Sequence, residues 1–406
     1  MTASSVVLPS IIASGASVDN GLRRIDWARA NMPILRSLKQ SFVSEKPFAG
    51  LKIGICLHVE PKTAVWLEGL VAGGAEIFIT GSPGSTDDDT AAAMVETMGV
   101  HVYTTSDETF AQHLTYCEHV LAAEPELIAD NGADLHNLIY ANAKYASLQR
   151  SLVGATEETT TGATRLTESI RCKDFPTLII NHTQAKRIVE NRYGVGSSVV
   201  DGIMRATNVM LHGKKVVVIG YGYCGAGVAQ RFRGMGARVT VVETEPLTRL
   251  EAHLEGFNTA VLEDCLSDAD MVVSVTGYDG VFRKEHFEML PTNAIVANAG
   301  HFASELDVPG LEGLAKNIRE LRAGITEYTL PNGKCIFLLS GGNLVNLAAG
   351  DGNPIEIMDL GLALQSLSLR YLVEKGSQLM KEPQTVPLEV EKFVASKAVE
   401  HWIERT

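Results

Sequence analysis

A run of β-branched residues, Val216 to Ile219, ends abruptly in Gly220, Gly222 and Gly225. The run suits a strand buried on both faces, and the G-x-G-x-x-G that follows stands where strand must turn into helix. Gly220 allows the tight turn, Gly222 lets a pyrophosphate approach free backbone N–H groups, and Gly225 lets the helix lie against the strand. A second strand, Arg238 to Val242, ends at Glu243, about 20 residues on, where a carboxylate binds both ribose hydroxyls of NAD. The same carboxylate repels a 2′-phosphate, so NAD is favoured over NADP. Tyr223 and Cys224 complete the turn.

The fingerprint begins only after half of the 406 residues, so a large α/β segment precedes it. Gly50–Cys56 reads as a strand, Thr63–Ala72 as a helix, Ala75–Thr80 as a strand and Leu178–Asn181 as another. After Glu243, Met271–Thr276, Ala294–Ala297 and Cys335–Leu339 read as buried strands, and the chain from Pro354 onward is mostly helical in pattern. The expected class is α/β: two doubly wound Rossmann-like lobes, the NAD lobe inserted in a substrate lobe, with a helical C-terminal segment. The boundaries fall at 1–191, 192–348 and 349–406. A cleft between the lobes is the expected substrate site.

Composition narrows the function. A net charge of −13 argues against nucleic acid and anionic membranes as partners. No apolar run approaches the ~20 residues of a membrane span. The N-terminus lacks a basic region before its apolar residues, so a secretory signal is not expected and a cytoplasmic location is. Cys56, Cys117, Cys172, Cys224, Cys265 and Cys335 are scattered without a C-x-x-C pair, so neither a metal site nor a disulfide framework is expected.

Several segments together resemble the S-adenosylhomocysteine hydrolase (adenosylhomocysteinase) family over nearly the whole chain. They are LHVEPKTAV (Leu57–Val65), DNGADLH (Asp130–His136), GATEETTTG (Gly154–Gly162), AKRIVENRYG (Ala185–Gly194), GYGYCGAG (Gly220–Gly227), NAGHF (Asn298–Phe302) and GGNLVNLAAGDGNP (Gly341–Pro354). The resemblance implies a homotetramer or homodimer that holds NAD and recycles it within each turnover on a small nucleoside.

The chemistry it implies is redox-assisted elimination. Oxidising C3′ of a ribose acidifies the C4′ proton, its loss expels the 5′ substituent, and the hydride returns to C3′ with no net redox. By resemblance Lys186 takes the 3′-hydroxyl proton, which requires partial burial and a nearby positive charge to favour the neutral amine. Glu190, four residues on, holds Lys186 on one helical face. Glu158 binds the ribose hydroxyls, and His58, His301 and Asn131 stand at the reacting carbons. Glu60, Lys62, Thr63, Asn353, Leu344 and Met358 line the base and the 5′ side. Thr159, Thr160, Thr161, Asn191, Thr276, Asn298, Gly300, His301 and Asn346 join the glycine turn around the cofactor.

The departures from that pattern are concentrated. Asn131 replaces an aspartate that moves protons, and an amide takes up no proton at working pH. Glu190 replaces an aspartate, His182 an acidic residue and Asn353 a histidine, while Lys62 stands where many members carry glutamate. The chain stops at His401–Thr406, where the family continues into a tail that completes a neighbour's NAD site, so looser cofactor retention is expected. These changes lean the expectation toward a nucleoside 4′,5′-dehydratase of the angustmycin type, losing water. A genuine S-adenosylhomocysteine hydrolase and a non-catalytic, nucleoside- and NAD-binding regulatory relative are the alternatives. An NAD-dependent hydroxyacid dehydrogenase, suggested by the fingerprint alone, leaves EETTTG without a purpose.

Overall fold

Strand-forming runs in this chain are short, apolar and separated by helices, and they assemble into two parallel sheets in the computed structural model, which describes residues 7–300 and 303–404. The chain divides into one unit of Met1–Lys186 with Ile355–Thr406 and a second of Arg187–Pro354. Among the described residues no helix is long and apolar enough to cross a membrane.

In the first unit, β1 (Lys52–Cys56), β2 (Glu76–Thr80), β3 (His101–Tyr103), β4 (Leu127–Asp130), β5 (Gly154–Glu157) and β6 (Thr177–Ile179) lie in the order β6-β5-β4-β1-β2-β3, all parallel. The order reverses between β1 and β4, so loops leaving their carboxyl ends diverge and open a crevice. Strand interiors are buried on both faces, which is why they read as unbroken apolar runs. The expected strand 178–181 is shorter than its sequence suggests: Ile180–His182 winds into a 3₁₀ turn that carries Asn181 and His182 to the carboxyl edge.

The second unit repeats the plan. Here β7 (Lys215–Ile219), β8 (Arg238–Val242), β9 (Asn258–Ala260), β10 (Met271–Ser274), β11 (Ala294–Asn298), β12 (Asn317–Arg322), β13 (Ile325–Thr329) and β14 (Cys335–Leu339) lie in the order β12-β13-β14-β11-β10-β7-β8-β9. All pairings are parallel except the β12-β13-β14 meander, and the order reverses between β7 and β10. The C-terminal segment is not purely helical: β15 (Pro383–Thr385) pairs in parallel with β6 and extends the first sheet to seven strands.

Two local features depart from expectation or lay hidden in the sequence. Ala185–Gly194 winds as a π-helix, not an α-helix, so Lys186 and Glu190 are not one α-turn apart. Helix Pro33–Glu45 has no side-chain cap of its own, and Asp359, from helix Ile355–Lys375, accepts from Ile34 N at 2.9 Å and Leu35 N at 2.8 Å.

Burial raises Asp359 from an ordinary 3.8 to about 7 despite those two donors. Between these values the folded chain keeps a proton that the unfolded chain has released, so stability falls as pH rises through that window. Asp359→Asn, neutral throughout, should lack this part of the slope. Asp359→Ala should lose about 1–3 kcal/mol by orphaning buried donors. Denaturant titrations at pH 4, 5.5 and 7 measure both; a pH slope unchanged in Asp359→Asn contradicts the assignment.

Candidate active site

In the first unit the expected polar residues all follow the carboxyl ends of strands. His58 comes two residues after β1, and its Nε2 stands 3.5 Å from Nδ2 of Asn131, which follows β4. Glu60 caps helix Pro61–Ala72 by accepting from Lys62 N at 3.0 Å, and its carboxylate also pairs with Lys62 Nζ at 3.1 Å. Lys62 and Thr63 are buried in that first turn, and Met358 is half-buried.

The acid doublet after β5 splits its work. Glu158 pairs with Lys186 Nζ at 2.8 Å, and its other oxygen accepts from Gln365. Lys186 and Glu158 are each about 5% exposed, so this ion pair is shielded from screening by solvent. Glu157 points inward and is fully buried. It accepts from Gly132 N at 3.0 Å, Ala133 N at 2.9 Å, Thr159 N at 2.8 Å and Thr159 Oγ1 at 2.8 Å. One carboxylate thereby ties the Asn131 loop to the Glu158 loop. Burial, then the adjacent Asp130 charge, pushes Glu157 up to about 8. Asp130 is itself held by His136 Nδ1 at 2.8 Å. A Cβ at Gly162 would lie 2.1 Å from the Glu157 carboxyl, which explains the glycine that ends EETTTG. The Thr159 hydroxyl is spent on Glu157 and on capping Gly162 N at 2.9 Å, and Thr160 and Thr161 follow in the same short helix.

The second unit holds the glycine turn. Gly220 has φ +100°, and a Cβ at Gly225 would lie 2.1 Å from Gly220 O. A Cβ at Gly222 would meet nothing within 4 Å, and helix Tyr223–Gly234 starts there with no side-chain cap. That combination leaves room and free donors for a phosphate. Tyr223 is exposed with the Arg187 guanidinium over its ring at 5.7 Å, and Cys224 is half-buried. Glu243 stands at the end of β8 and accepts from Tyr221 N at 2.8 Å, Thr244 N at 2.7 Å and Glu245 N at 2.9 Å.

A second buried glutamate, Glu305, organises the far side. It accepts from Ser274 Oγ at 2.6 Å, Thr276 N and Oγ1 at 3.0 Å, and Gly277 N at 2.8 Å. Gly300 packs so tightly on it that a Cβ there would overlap the carboxyl at 1.4 Å. Asn298 shapes the same loop, accepting from Gly300 N and donating to Gly342 O, both at 2.9 Å. His301 lies outside the described residues.

A polar chain crosses this unit. Asn346 Nδ2 donates to Ser198 Oγ at 3.4 Å, Ser198 donates to Asn353 Oδ1 at 3.0 Å, and Asn353 Nδ2 donates to Glu190 Oε1 at 3.3 Å. Asn346 Oδ1 is buried without a hydrogen-bond partner among the described residues, an orphan acceptor suited to a carboxamide N–H. Asn191 is buried in the π-helix, and Leu344 is half-buried with its backbone bridged to Asn298. Together the open glycine turn, the uncapped helix end and the orphan acceptor fit NAD. Glu157, Glu305 and Ser198 went unassigned in the sequence; the glycines packed on the two glutamates were the available signal.

Comparison with known proteins covers both units. Residues 11–149 match the family model S-adenosyl-L-homocysteine hydrolase, and residues 191–352 match the model for its NAD binding domain. The chain is 44% identical over 384 residues to the S-inosyl-L-homocysteine hydrolase of Methanopyrus kandleri, spanning 94% of this chain and 90% of that one. It is 43% identical over 380 residues to the adenosylhomocysteinase of Aquifex aeolicus, spanning 93% and 90%. With the adenosylhomocysteinase of Archaeoglobus fulgidus it shares 41% over 383 residues, 94% of each chain.

Calorimetric titration with NAD tests the cofactor assignment without turnover. Gly222→Val should block the phosphate turn and abolish measurable binding. Glu243→Ala should cost about 1.5–3 kcal/mol for each charge-assisted bond to ribose. Wild-type affinity in both variants would reduce the glycine motif to a tight turn.

Proposed function

Because this chain belongs to the S-adenosyl-L-homocysteine hydrolase family and carries its NAD-binding domain, we propose that it eliminates the 5′ substituent of a nucleoside across C4′–C5′ by transient oxidation at C3′. The net reaction proposed is 4′,5′-dehydration of a nucleoside with a 5′-hydroxyl. NAD, when bound, supplies reversible hydride acceptance at C3′. Lys186 takes the proton of the 3′-hydroxyl and returns it at the end. Glu158, paired with Lys186 at 2.8 Å, holds the lysine charged until its carboxylate accepts from the ribose hydroxyls, which releases the amine to act as base. His58 is the titratable group beside Asn131 and handles the C4′ proton and the one leaving with the 5′ oxygen. The C4′–H proton and the C5′–O bond are lost together as water, and the 4′,5′-alkene stays after C3′ is reduced. Glu243, the Gly222 turn and Asn346 hold the cofactor.

The observation that favours dehydration is the Asn131 amide facing His58. Hydrolysis needs two rounds of proton transfer, one to expel the 5′ group and a second to add water across the alkene, and dehydration stops after the first. An amide carries no proton in either round, which leaves one proton carrier where the family pattern has two. Hydrolysis of an S-nucleosyl-homocysteine is the second reading, favoured by relatives named as hydrolases at 43–44% identity. We further propose a homo-oligomer, supported by the exposed Leu247, Leu250 and Leu254 stripe on helix Pro246–Leu254, with light scattering as its check.

Mass spectrometry of products separates the two reactions. Adenosine- or inosine-type nucleosides should yield a product lighter by water, and S-adenosylhomocysteine should turn over at least about 10²-fold below ordinary rates of ~10 s⁻¹. Fast hydrolysis of the thioether overturns the dehydratase reading but not the oxidation at C3′. Asn131→Asp should then raise addition across the alkene.

Lys186→Ala should abolish turnover while NAD affinity stays as in the wild type. Stopped-flow absorbance of transient NADH reads the oxidation step directly. A variant that reduces NAD at the wild-type rate removes Lys186 from the role of base.

A further inference from the structure

Cys56, His113 and Cys117 are scattered in sequence but converge in the first unit, their donor atoms all within 4.8 Å of one another and all three side chains buried. His113 and Cys117 sit four apart on helix Phe110–Ala122, which puts them on one face, with His113 Nε2 and Cys117 Sγ 3.5 Å apart. Cys56 ends β1. The carboxylate of Asp134 closes the group, its Oδ2 3.1 Å from His113 Nε2. Bonds of ~2.0–2.3 Å on a zinc tetrahedron separate N and S ligands by roughly 3.5 Å and N and O ligands by roughly 3.4 Å. The His113–Cys117 and His113–Asp134 spacings are close to those of ligand pairs that share one small ion.

The surroundings orient the imidazole as a ligand. Its Nδ1 faces the buried Glu108 Oε1 at 3.5 Å, and neither atom has a hydrogen-bond partner within ordinary bonding geometry among the described residues. Glu108 is fixed in turn by Thr104 Oγ1 at 2.6 Å and Thr105 N at 3.3 Å. A carboxylate behind one ring nitrogen, with the other aimed at soft sulfur donors, is the arrangement that sets histidine as a zinc ligand. Arg165 holds the other Asp134 oxygen at 2.8 Å, and Asp134 is the one member partly open to solvent, which gives an ion a way in.

We propose that Cys56, His113, Cys117 and Asp134 form a structural zinc site. Two thiolates and an imidazole select zinc over hard cations such as magnesium and calcium. Binding releases the Cys56 proton now donated to Gly81 O at 3.7 Å, the Cys117 proton, and the imidazole proton shared with Asp134. The four ligands leave no open position, so the ion does no chemistry on substrate. It joins three elements: the end of β1 just before His58, helix Phe110–Ala122, and the first turn of helix Asp134–Ala141 just after Asn131. It therefore sets the spacing of the two loops that carry His58 and Asn131.

The test uses the full-length protein, chelator-treated and kept reduced, titrated with zinc against a chromophoric competitor and with cobalt(II). One zinc per chain is expected, together with thiolate-to-cobalt charge-transfer absorption and the intense visible bands of a tetrahedral ion. Cys117→Ser and His113→Ala should lose stoichiometric binding. Glu108→Gln keeps all four ligands, and should fold as the wild type by circular dichroism but bind about 10–100-fold more weakly. No zinc uptake by the reduced protein overturns the site, as does uptake unchanged by Cys117→Ser and Glu108→Gln. A protein isolated two hydrogens lighter, with Cys56 joined to Cys117, and taking no zinc after reduction makes the pair a redox couple and likewise overturns it.

Discussion

Burying a carboxyl group is among the most expensive acts in folding unless donors meet it, and this chain buries one at corresponding places in each of its two units. Glu157 and Glu305 each sit under the carboxyl edge of a parallel sheet: Glu157 gathers four donors from the loops after β4 and β5, and Glu305 gathers four from the end of β10 and the loop after it. The cost of leaving such a group unsatisfied forces the loops into one arrangement. Residues on those loops inherit it: Asn131 and Glu158 around Glu157, Thr276 and Asn298 around Glu305. The demand reaches further in sequence, because both carboxyls occupy the space of a side chain at Gly162 and Gly300. Surface loops are usually the softest part of an α/β protein. Here the loops of the candidate site are pinned from beneath, and precision there is a by-product of satisfying two buried carboxyl groups.

The substituted positions look different against this frame. Asn353 is not an idle replacement, since its amide accepts from Ser198 and donates to Glu190. That leaves an amide–hydroxyl–amide chain running from the orphan acceptor of Asn346 to a carboxylate on the π-helix.

Much of the architecture was legible because buried parallel strands announce themselves as unbroken Val and Ile runs. β7, β8, β11 and β14 fell close to where the apolar runs lie. Glycine chemistry pointed to the cofactor turn, since positive φ at Gly220 and close packing at Gly225 admit little else. What stayed hidden depends on partners remote in sequence. β15 is three residues of unremarkable composition that become a strand only beside β6. The π-winding of Ala185–Gly194 has no periodic signature short enough to be seen in ten residues. Glu157 looked like half of an acidic doublet, and nothing local distinguishes the glutamate that turns inward from the one that turns out. Cys56 stood far from His113 and Cys117, so spacing rules blind to folding discarded all three.

The first unit is also discontinuous, and this bears on its birth. Its edge strand β15 and the Asp359 cap of helix Pro33–Glu45 come from beyond residue 354, after the whole of the second unit has been translated. A nascent chain of the first 186 residues has an open edge at β6 and an uncapped, buried helix end. The inserted unit is contiguous and has all its strands once Leu339 is out of the ribosome. Domains fold as they emerge, so the order of completion inverts the order of synthesis. The segment made first must wait, with an unpaired strand exposed, for the segment made last.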